Sequence, residues 1–329
     1  MKVLVTGAGS LLLGKVAVAL AERGDEVVCM QRRAVAFSGD VDIQQVLGDV
    51  RNREAVLAAA DGCDAVIHGA ARVGVVGSWS DYREVNIDGT ENVLHAAQTI
   101  GIPRLVHVST PSVAHSGASI VGVGAEPAVT GRKGSFYAES KAVAEIAALS
   151  ANSSTLAVVA IRPHLVWGPG DTQLVGRIVE RAEAGRLVMV GSGSALVDST
   201  YIDNAVTAHV AALDAVGPTA ACAGRAYVIS NGEPRTVSEL IEGICRAAGV
   251  PFAPRHVPAP VARLVGSVVE RVWPRFRDGE PPITRFVAEQ LGTAHWFDTR
   301  PARQDLNWAP HVSLAEGFVL LQKWFASAS

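Results

Sequence analysis

The chain is short of most features that would mark a metalloprotein, a disulfide scaffold, a membrane span or a nucleic-acid binder. Its four cysteines, Cys29, Cys63, Cys222 and Cys245, are scattered and form no Cys-x-x-Cys pair. That pattern predicts buried, reduced thiols in a cytoplasmic protein. The nine histidines show no ligand spacing, so no metal is expected. A net charge of −3 provides no basic field for nucleic acid. No uninterrupted apolar stretch reaches the roughly 18 residues of a membrane span. The opening Met1–Gly9 lacks the long apolar core of a signal peptide. Charged residues make up only 19%, while 49% of the chain is apolar and mean hydropathy is +0.24. That composition suits a sheet buried on both faces, and 329 residues leave room for one large α/β unit or two lobes.

Short apolar runs alternate with helical periodicity through the first half. Strands are expected at Val3–Val5, Glu26–Met30, Ala65–His68, Leu105–Ser109 and Val158–Ile161, with a third-strand candidate just before Asp49-Val50. Helices are expected at Leu11–Ala21, Arg53–Ala60, Val85–Thr99 and Tyr137–Ser150. Units of 25–30 residues of this kind build a doubly wound parallel sheet. From Gly168-Pro169-Gly170-Asp171 onward the elements shorten and proline becomes frequent. The reading is therefore a dinucleotide-binding unit over 1–167 and a smaller α/β substrate lobe over 168–329, some of its segments interleaved with the first.

Between the first strand and the first helix lies Thr6-Gly7-Ala8-Gly9-Ser10-Leu11-Leu12-Leu13-Gly14. Glycines there let the backbone turn sharply and approach a pyrophosphate, which the helix N-terminus stabilises. The spacing is irregular: a strict G-x-G-x-x-G places its third glycine at Leu12. The longer form T-G-x-x-G-x-x-G wants glycines at Ser10 and Leu13, and Gly14 takes the last part if one residue is inserted in the turn. At the end of the second strand, where an acidic residue usually accepts from the ribose 2′-hydroxyl, stand Gln31, Arg32 and Arg33. A guanidinium can grip a 2′-phosphate, which favours NADP(H), with NAD(H) as the second option. Two solvated surface arginines are the plainer alternative.

Tyr137 and Lys141 stand at i and i+4, on one face of a helix. A nearby ammonium, added to the positive nicotinamide ring, favours the phenolate and is expected to draw the phenol from near 10 towards the working range. Four tyrosines and five lysines give such a spacing by chance in roughly one chain in sixteen. A surface contact is thus the competing reading. Context weighs against it: His107-Val108-Ser109-Thr110-Pro111-Ser112 ends a strand 27 residues upstream of Tyr137, where ligands sit in such sheets. Of the three hydroxyls, Thr110 is the first choice, then Ser112, with Ser109 still inside the strand.

These motifs, with Gly69-Ala70-Ala71, Asn86-x-x-Gly89-Thr90-x-Asn92, Arg162-Pro163-x-x-Val166-Trp167-Gly168-Pro169-Gly170-Asp171 and Tyr201-Ile202-Asp203-Asn204-Ala205, resemble the extended short-chain dehydrogenase/reductase superfamily. Within it the chain is similar to the 3β-hydroxysteroid dehydrogenase branch and its 2-alkyl-3-oxoalkanoate reductases. The resemblance implies a Rossmann domain and an active site of Thr110, Tyr137 and Lys141 with Asn86 close by. It also implies a cofactor site of Gly7, Gly9, Ser10, Leu11, Leu12, Arg32, Arg33, Asp49, Val50, Ala70, Ala71, Tyr137, Lys141, Pro163, Leu165 and Val166. Relatives of this kind commonly form homodimers through helices such as Tyr137–Ser150.

The second lobe is short of the basic residues expected around a nucleotide-sugar diphosphate. Over 258–277, Val261, Leu264, Val265, Val268, Val269 and Val272 share one helical stripe beside Trp273, punctuated by Arg263, Arg271, Arg275 and Arg277. Such a helix can cover a lipid pocket, rest on a membrane surface as a peripheral contact, or simply pack on the core. The expected activity is ketone–alcohol interconversion on an apolar substrate, a long 2-alkyl-3-oxo acid or a 3-hydroxy/3-keto steroid. A nucleotide-sugar epimerase or dehydratase with tightly held NAD is the alternative. A non-catalytic NADP sensor is a third reading, and the intact Thr110, Tyr137 and Lys141 argue against it.

Overall fold

The computed structural model of the protein describes residues 1–74, 77–114, 117–131, 135–276, 289 and 291–328. Seven parallel strands form the central sheet: β1 (Lys2–Thr6), β2 (Glu26–Gln31), β3 (Ile43–Leu47), β4 (Ala65–His68), β5 (Arg104–Val108), β7 (Ala157–Pro163) and β12 (Ala226–Ile229). Their order is β12-β7-β5-β4-β1-β2-β3. The chain therefore reverses direction across the sheet between β1 and β4, which opens a crevice at their C-terminal ends. This is the Rossmann arrangement expected from the alternation of strands and helices.

Successive strand residues point to opposite faces, and both faces are covered. Val3, Val5, Ile67 and Val159 pack against Val16 and Leu20 of α1 (Leu11–Glu22) and Ala208 and Leu213 of α7 (Ile202–Ala215). Leu4, Val66, Leu105 and Val158 pack on the other side, against Val56 of α2 (Arg53–Ala60), Leu94 of α4 (Gly89–Ile100) and Ala148 of α5 (Phe136–Ser150). Each such aliphatic side chain contributes about 1.5–3 kcal/mol on full burial, which is why these strands are apolar throughout rather than alternating.

The helix expected at Val85–Thr99 differs in form. A short helix, α3 (Trp79–Tyr82), runs into a π-type turn over Arg83–Asp88 before α4 begins at Gly89. The extra residue in the turn shifts the side chain of Asn86 relative to a regular helix, and such insertions cluster at functional sites.

The second half has its own core. Trp167 of β8 (Val166–Trp167) stacks on Phe318 with centroids 4.7 Å apart and meets Tyr201 edge-on, above Leu240 and Ile244 of α8 (Val237–Ala248). A separate four-stranded sheet joins β6 (Ile120–Val123) to β15 (His295–Phe297), β10 (Leu196–Val197) and β13 (Arg235–Thr236). On α9 (Ala259–Phe276), Ala262 is buried whereas Val261, Leu264 and Val265 are exposed. The side chains of Val268 and of Arg271, Val272, Trp273, Arg275 and Arg277, named above for the same stripe, lie outside the described ones. Among the described residues no helix is long and apolar enough to cross a membrane, and no cluster of metal-ligating side chains occurs. All four cysteines are free and buried.

Candidate active site

The glycine turn lies at the crevice between β1 and β4. Gly7 has φ +83°, and a Cβ there would stand 2.7 Å from the backbone nitrogen of Ala70. Only glycine permits this approach of the two strand ends. Ser10 caps α1, its hydroxyl accepting from the Leu13 N–H at 3.3 Å. Gly9, Ser10 and Leu11 are exposed at the mouth of the turn. Gly14 falls inside α1, where a Cβ would come within 3.0 Å of the Ala8 carbonyl. The close packing that a third glycine provides is thus retained with a longer spacing. The free N–H groups of the first turn of α1 and the narrow cradle at Gly7 fit a dinucleotide pyrophosphate.

Further out, Gln31 turns its amide to Gln45 of β3 at 2.8 Å, leaving Arg32 and Arg33 exposed beyond the end of β2. Arg51 holds the Asp49 carboxyl below its ordinary range, with a smaller contribution from Arg32. Asn92 donates to the Val50 carbonyl at 2.9 Å, and a Cβ on Gly89 would strike Val50 at 2.8 Å. The Asn-x-x-Gly-Thr-x-Asn motif therefore fastens the Asp49-Val50 segment to α4.

Beneath the crevice a hydrogen-bond chain ties the strand ends to the π turn. The Thr6 hydroxyl accepts from the N–H groups of Gly69 and Ala70 at 3.2 Å and meets His68 Nδ1 at 2.7 Å. His68 Nε2 lies 2.9 Å from Thr90 Oγ1, which donates to the Asn86 carbonyl at 2.7 Å. Since Thr90 spends its proton on Asn86, His68 donates from Nε2 and accepts at Nδ1. Burial, with Lys141 nearby, depresses His68 to about 3, so the ring stays neutral. His107, next to it in register and wholly buried, is also held neutral by burial, and neither ring nitrogen has a hydrogen-bond partner.

The sequence-named trio meets at the end of β5. Tyr137 is half-buried, close enough to Thr110 for that hydroxyl to lower the phenol's pKa. Lys141 is buried, its Nζ donating to the Val108 carbonyl at 2.6 Å. Of the rival hydroxyls, Ser109 is buried with no partner, and Ser112 stands behind Thr110 at 3.3 Å. Burial pushes the Tyr137 phenol up to about 12, against the Thr110 hydrogen bond that lowers it. Desolvation also brings Lys141 down to about 8, with Glu145 opposing. In the protein alone, burial outweighs the neighbouring cation.

Asn86 accepts from the Arg72 N–H at 2.7 Å and donates to the Arg72 carbonyl at 3.1 Å and to Ser140 Oγ at 2.9 Å. Its amide thus pins the loop after β4 to the helix that carries Tyr137 and Lys141. Pro163 ends β7, and Leu165 follows with φ +40°, a strained conformation of the kind found at binding sites. Leu165 and Val166 are half-buried there. Sequence reasoning passed over Thr6, His68, Arg72 and Ser140. The available signal was position: the first three lie at the C-terminal ends of β1 and β4.

The sequence model of the 3-beta hydroxysteroid dehydrogenase/isomerase family matches residues 27–258. The chain is 47% identical over 320 residues to a 2-alkyl-3-oxoalkanoate reductase of Stenotrophomonas maltophilia, covering 96% of this chain and 97% of that one. It is 30% identical over 318 residues to a 3 beta-hydroxysteroid dehydrogenase/Delta 5-->4-isomerase of Mycobacterium tuberculosis, covering 94% and 86%. Among solved structures it resembles MoeE5 in complex with UDP-glucuronic acid and NAD, with a TM-score of 0.75, 23% identity and full coverage of both chains. It also resembles the epimerase Mth375 of Methanothermobacter thermautotrophicus, with a TM-score of 0.78, 21% identity and 99% and 92% coverage.

Proposed function

The chain belongs to the 3-beta hydroxysteroid dehydrogenase/isomerase family and is an oxidoreductase acting between keto and CH–OH groups; on that footing we propose that it reduces a long-chain 2-alkyl-3-oxo acid with NADPH. A 3-keto steroid is the second substrate class, and the higher identity to the alkanoate reductase favours the acid. The observation that carries the reading is the convergence of Thr110, Tyr137 and Lys141 at the C-terminal end of β5. The sugar-nucleotide alternative rests on structures of 18–23% identity, which speak for the fold alone.

Bound in the crevice, the nicotinamide would supply the hydride that reduces the carbonyl carbon. Tyr137, kept protonated by burial, gives its proton to the carbonyl oxygen as charge develops there, and Thr110 steadies that oxygen by a hydrogen bond. Lys141 orients the nicotinamide ribose, and its charge eases the loss of the tyrosine proton once the oxidised ring adds its own. Asn86 is better described as a positioning residue than as a reacting one. Gly7, Gly9, Ser10, Leu11 and Leu12 hold the pyrophosphate, Asp49, Val50, Ala70 and Ala71 border the adenosine and linker, and Pro163, Leu165 and Val166 border the nicotinamide. Arg32 and Arg33 select the 2′-phosphate. Residues 1–167 serve the cofactor and 168–329 the substrate. The protein is assigned to the cytoplasm as a homodimer, Ile146 on α5 being an exposed apolar residue that pairing would cover. The exposed stripe of α9 faces lipid substrate or a membrane surface.

The test is NADPH oxidation with 2-alkyl-3-oxo acids and 3-ketosteroids. Tyr137→Phe is expected to lower kcat by roughly 10²–10⁴-fold while NADPH affinity is kept. A kcat near that of the parent protein would refute the assignment.

A further inference from the structure

We infer that Arg72 recognises the carboxylate of the substrate, making the site selective for 3-oxo and 3-hydroxy acids over neutral ketones and alcohols. The inference rests on the ketone-reductase reading and names what that site grips. Arg72 directly follows Gly69-Ala70-Ala71 at the end of β4, so it is the first long side chain beyond the cofactor crevice. Its backbone is fixed on both sides by Asn86, which also bonds Ser140, the residue before Lys141. The main chain of Arg72 therefore keeps one place relative to the helix of Tyr137.

The side chain lies against Tyr82, Asp81 and Gly77. Its guanidinium lies 5.4 Å over the ring of Tyr82, which packs at 6.4 Å on Phe136, the neighbour of Tyr137. The side chain remains 40% exposed, and its ion pair with Asp81 is long at 3.6 Å. Asp81 does not depend on that pair. Its carboxylate accepts from the Ser78 N–H at 2.9 Å, and that capping contact, not Arg72, is the main cause of its lowered pKa. A substrate carboxylate can displace Asp81 without stranding it. Space for the guanidinium is kept by Gly77, where a Cβ would stand 2.7 Å from Arg72 Nη2.

The chemistry of the substrate fits this placement. In a 3-oxo acid the carboxylate is two carbons from the ketone, so its oxygens lie about 3–4 Å from the ketone oxygen by standard bond lengths. Arg72 is linked to the Tyr137 side of the crevice through Tyr82, whose ring it covers and which packs on Phe136. Guanidinium pairs with carboxylate through two parallel hydrogen bonds, and a neutral ester cannot repay that arrangement. Charge-assisted bonds of this kind correspond to about 10–100-fold in affinity.

The experiment compares a 2-alkyl-3-hydroxyalkanoate with its methyl ester in the oxidative direction, because the 3-oxo acid itself loses carbon dioxide. Production of reduced nicotinamide is followed with the parent protein, Arg72→Met and Arg72→Lys. The parent is expected to prefer the acid at least about tenfold, and Arg72→Met to cut kcat/KM for the acid about 10–100-fold, mainly through KM. The acid-to-ester ratio then collapses towards one, and Arg72→Lys restores part of it. Equal losses on acid and ester, as expected if Arg72 only braces Tyr82, would overturn the inference. So would a parent protein that handles both alike. If neither compound is oxidised, the ketone-reductase reading falls, and calorimetry still judges the carboxylate site. Acid binding that is lost in Arg72→Met supports it, and equal binding by both proteins overturns it.

Discussion

Beneath Lys141 lies a buried ion pair whose removal gives a two-sided test of how this site is held. Glu145 and Arg162 are 1% and 2% exposed. Arg162 Nε donates to Glu145 Oε2 at 2.8 Å, Nη2 donates to the other carboxylate oxygen, and Nη1 donates to the Glu126 carbonyl at 2.7 Å. Glu145→Leu leaves the guanidinium buried with only Glu126 as partner. Stranding a buried charge in this way costs about 3–5 kcal/mol. At about 2.1 cal/mol/K of unfolding entropy per residue, a chain of 329 residues loses about 4–7 °C in Tm. Glu145→Leu/Arg162→Met removes both charges. It forfeits chiefly the bond to Glu126, at about 1–3 kcal/mol for an acceptor left unsatisfied, and regains part of that through apolar packing. The double variant should therefore melt less than about 3 °C below the parent, and above the single variant. Scanning calorimetry decides. A double variant as unstable as the single, or a single variant within a degree of the parent, would refute the argument from an uncompensated charge.

Gly7→Ala must place a Cβ 2.7 Å from Ala70 at φ +83°, so NADPH affinity by fluorescence titration should fall at least tenfold; Gly24→Ala, at φ +93° with nothing within 4 Å, bears only the backbone strain and should keep that affinity. Arg32→Ala/Arg33→Ala should raise KM for NADPH about 10–100-fold with little change for NADH, and an unchanged NADPH constant would return both arginines to plain surface. Lys141 falls from 10.5 to about 8 on folding. Between those values the unfolded chain binds the extra proton, so this group makes stability rise with pH through that window, the burial penalty being full below about 8. Urea titrations at pH 7.5 and pH 10 should show that rise diminished in Lys141→Met.

The strand rhythm, the glycine turn and the Tyr137–Lys141 spacing were legible in the sequence because each is a local pattern tied to a backbone period. Thr110 could be preferred over Ser109 and Ser112 from its offset past the strand. The sign of the Tyr137 shift was not legible. It depends on how far α5 sinks against β5, and desolvation then outweighs a cation that spends its proton on Val108. The π-type turn at Arg83–Asp88 escaped because one inserted residue barely alters apolar periodicity. Arg72 escaped because its meaning comes from Asn86 and Tyr82, fourteen and ten residues away, folded back onto it. Neither spacing nor composition joins β6 to β15, since that pairing brings Ile120 to His295.

That last pairing, with the return of β12 to the edge of the seven-stranded sheet beside β7, bears on how the protein can be divided and recombined. A cut after residue 167 would strip the large sheet of its edge strand and leave β6 an orphan edge, so neither fragment would carry a closed set of strand partners. The second half of the chain is woven in rather than appended. Exchange of specificity between relatives should then succeed through loop replacement at the crevice, such as the segment after β4, and fail when whole halves are swapped.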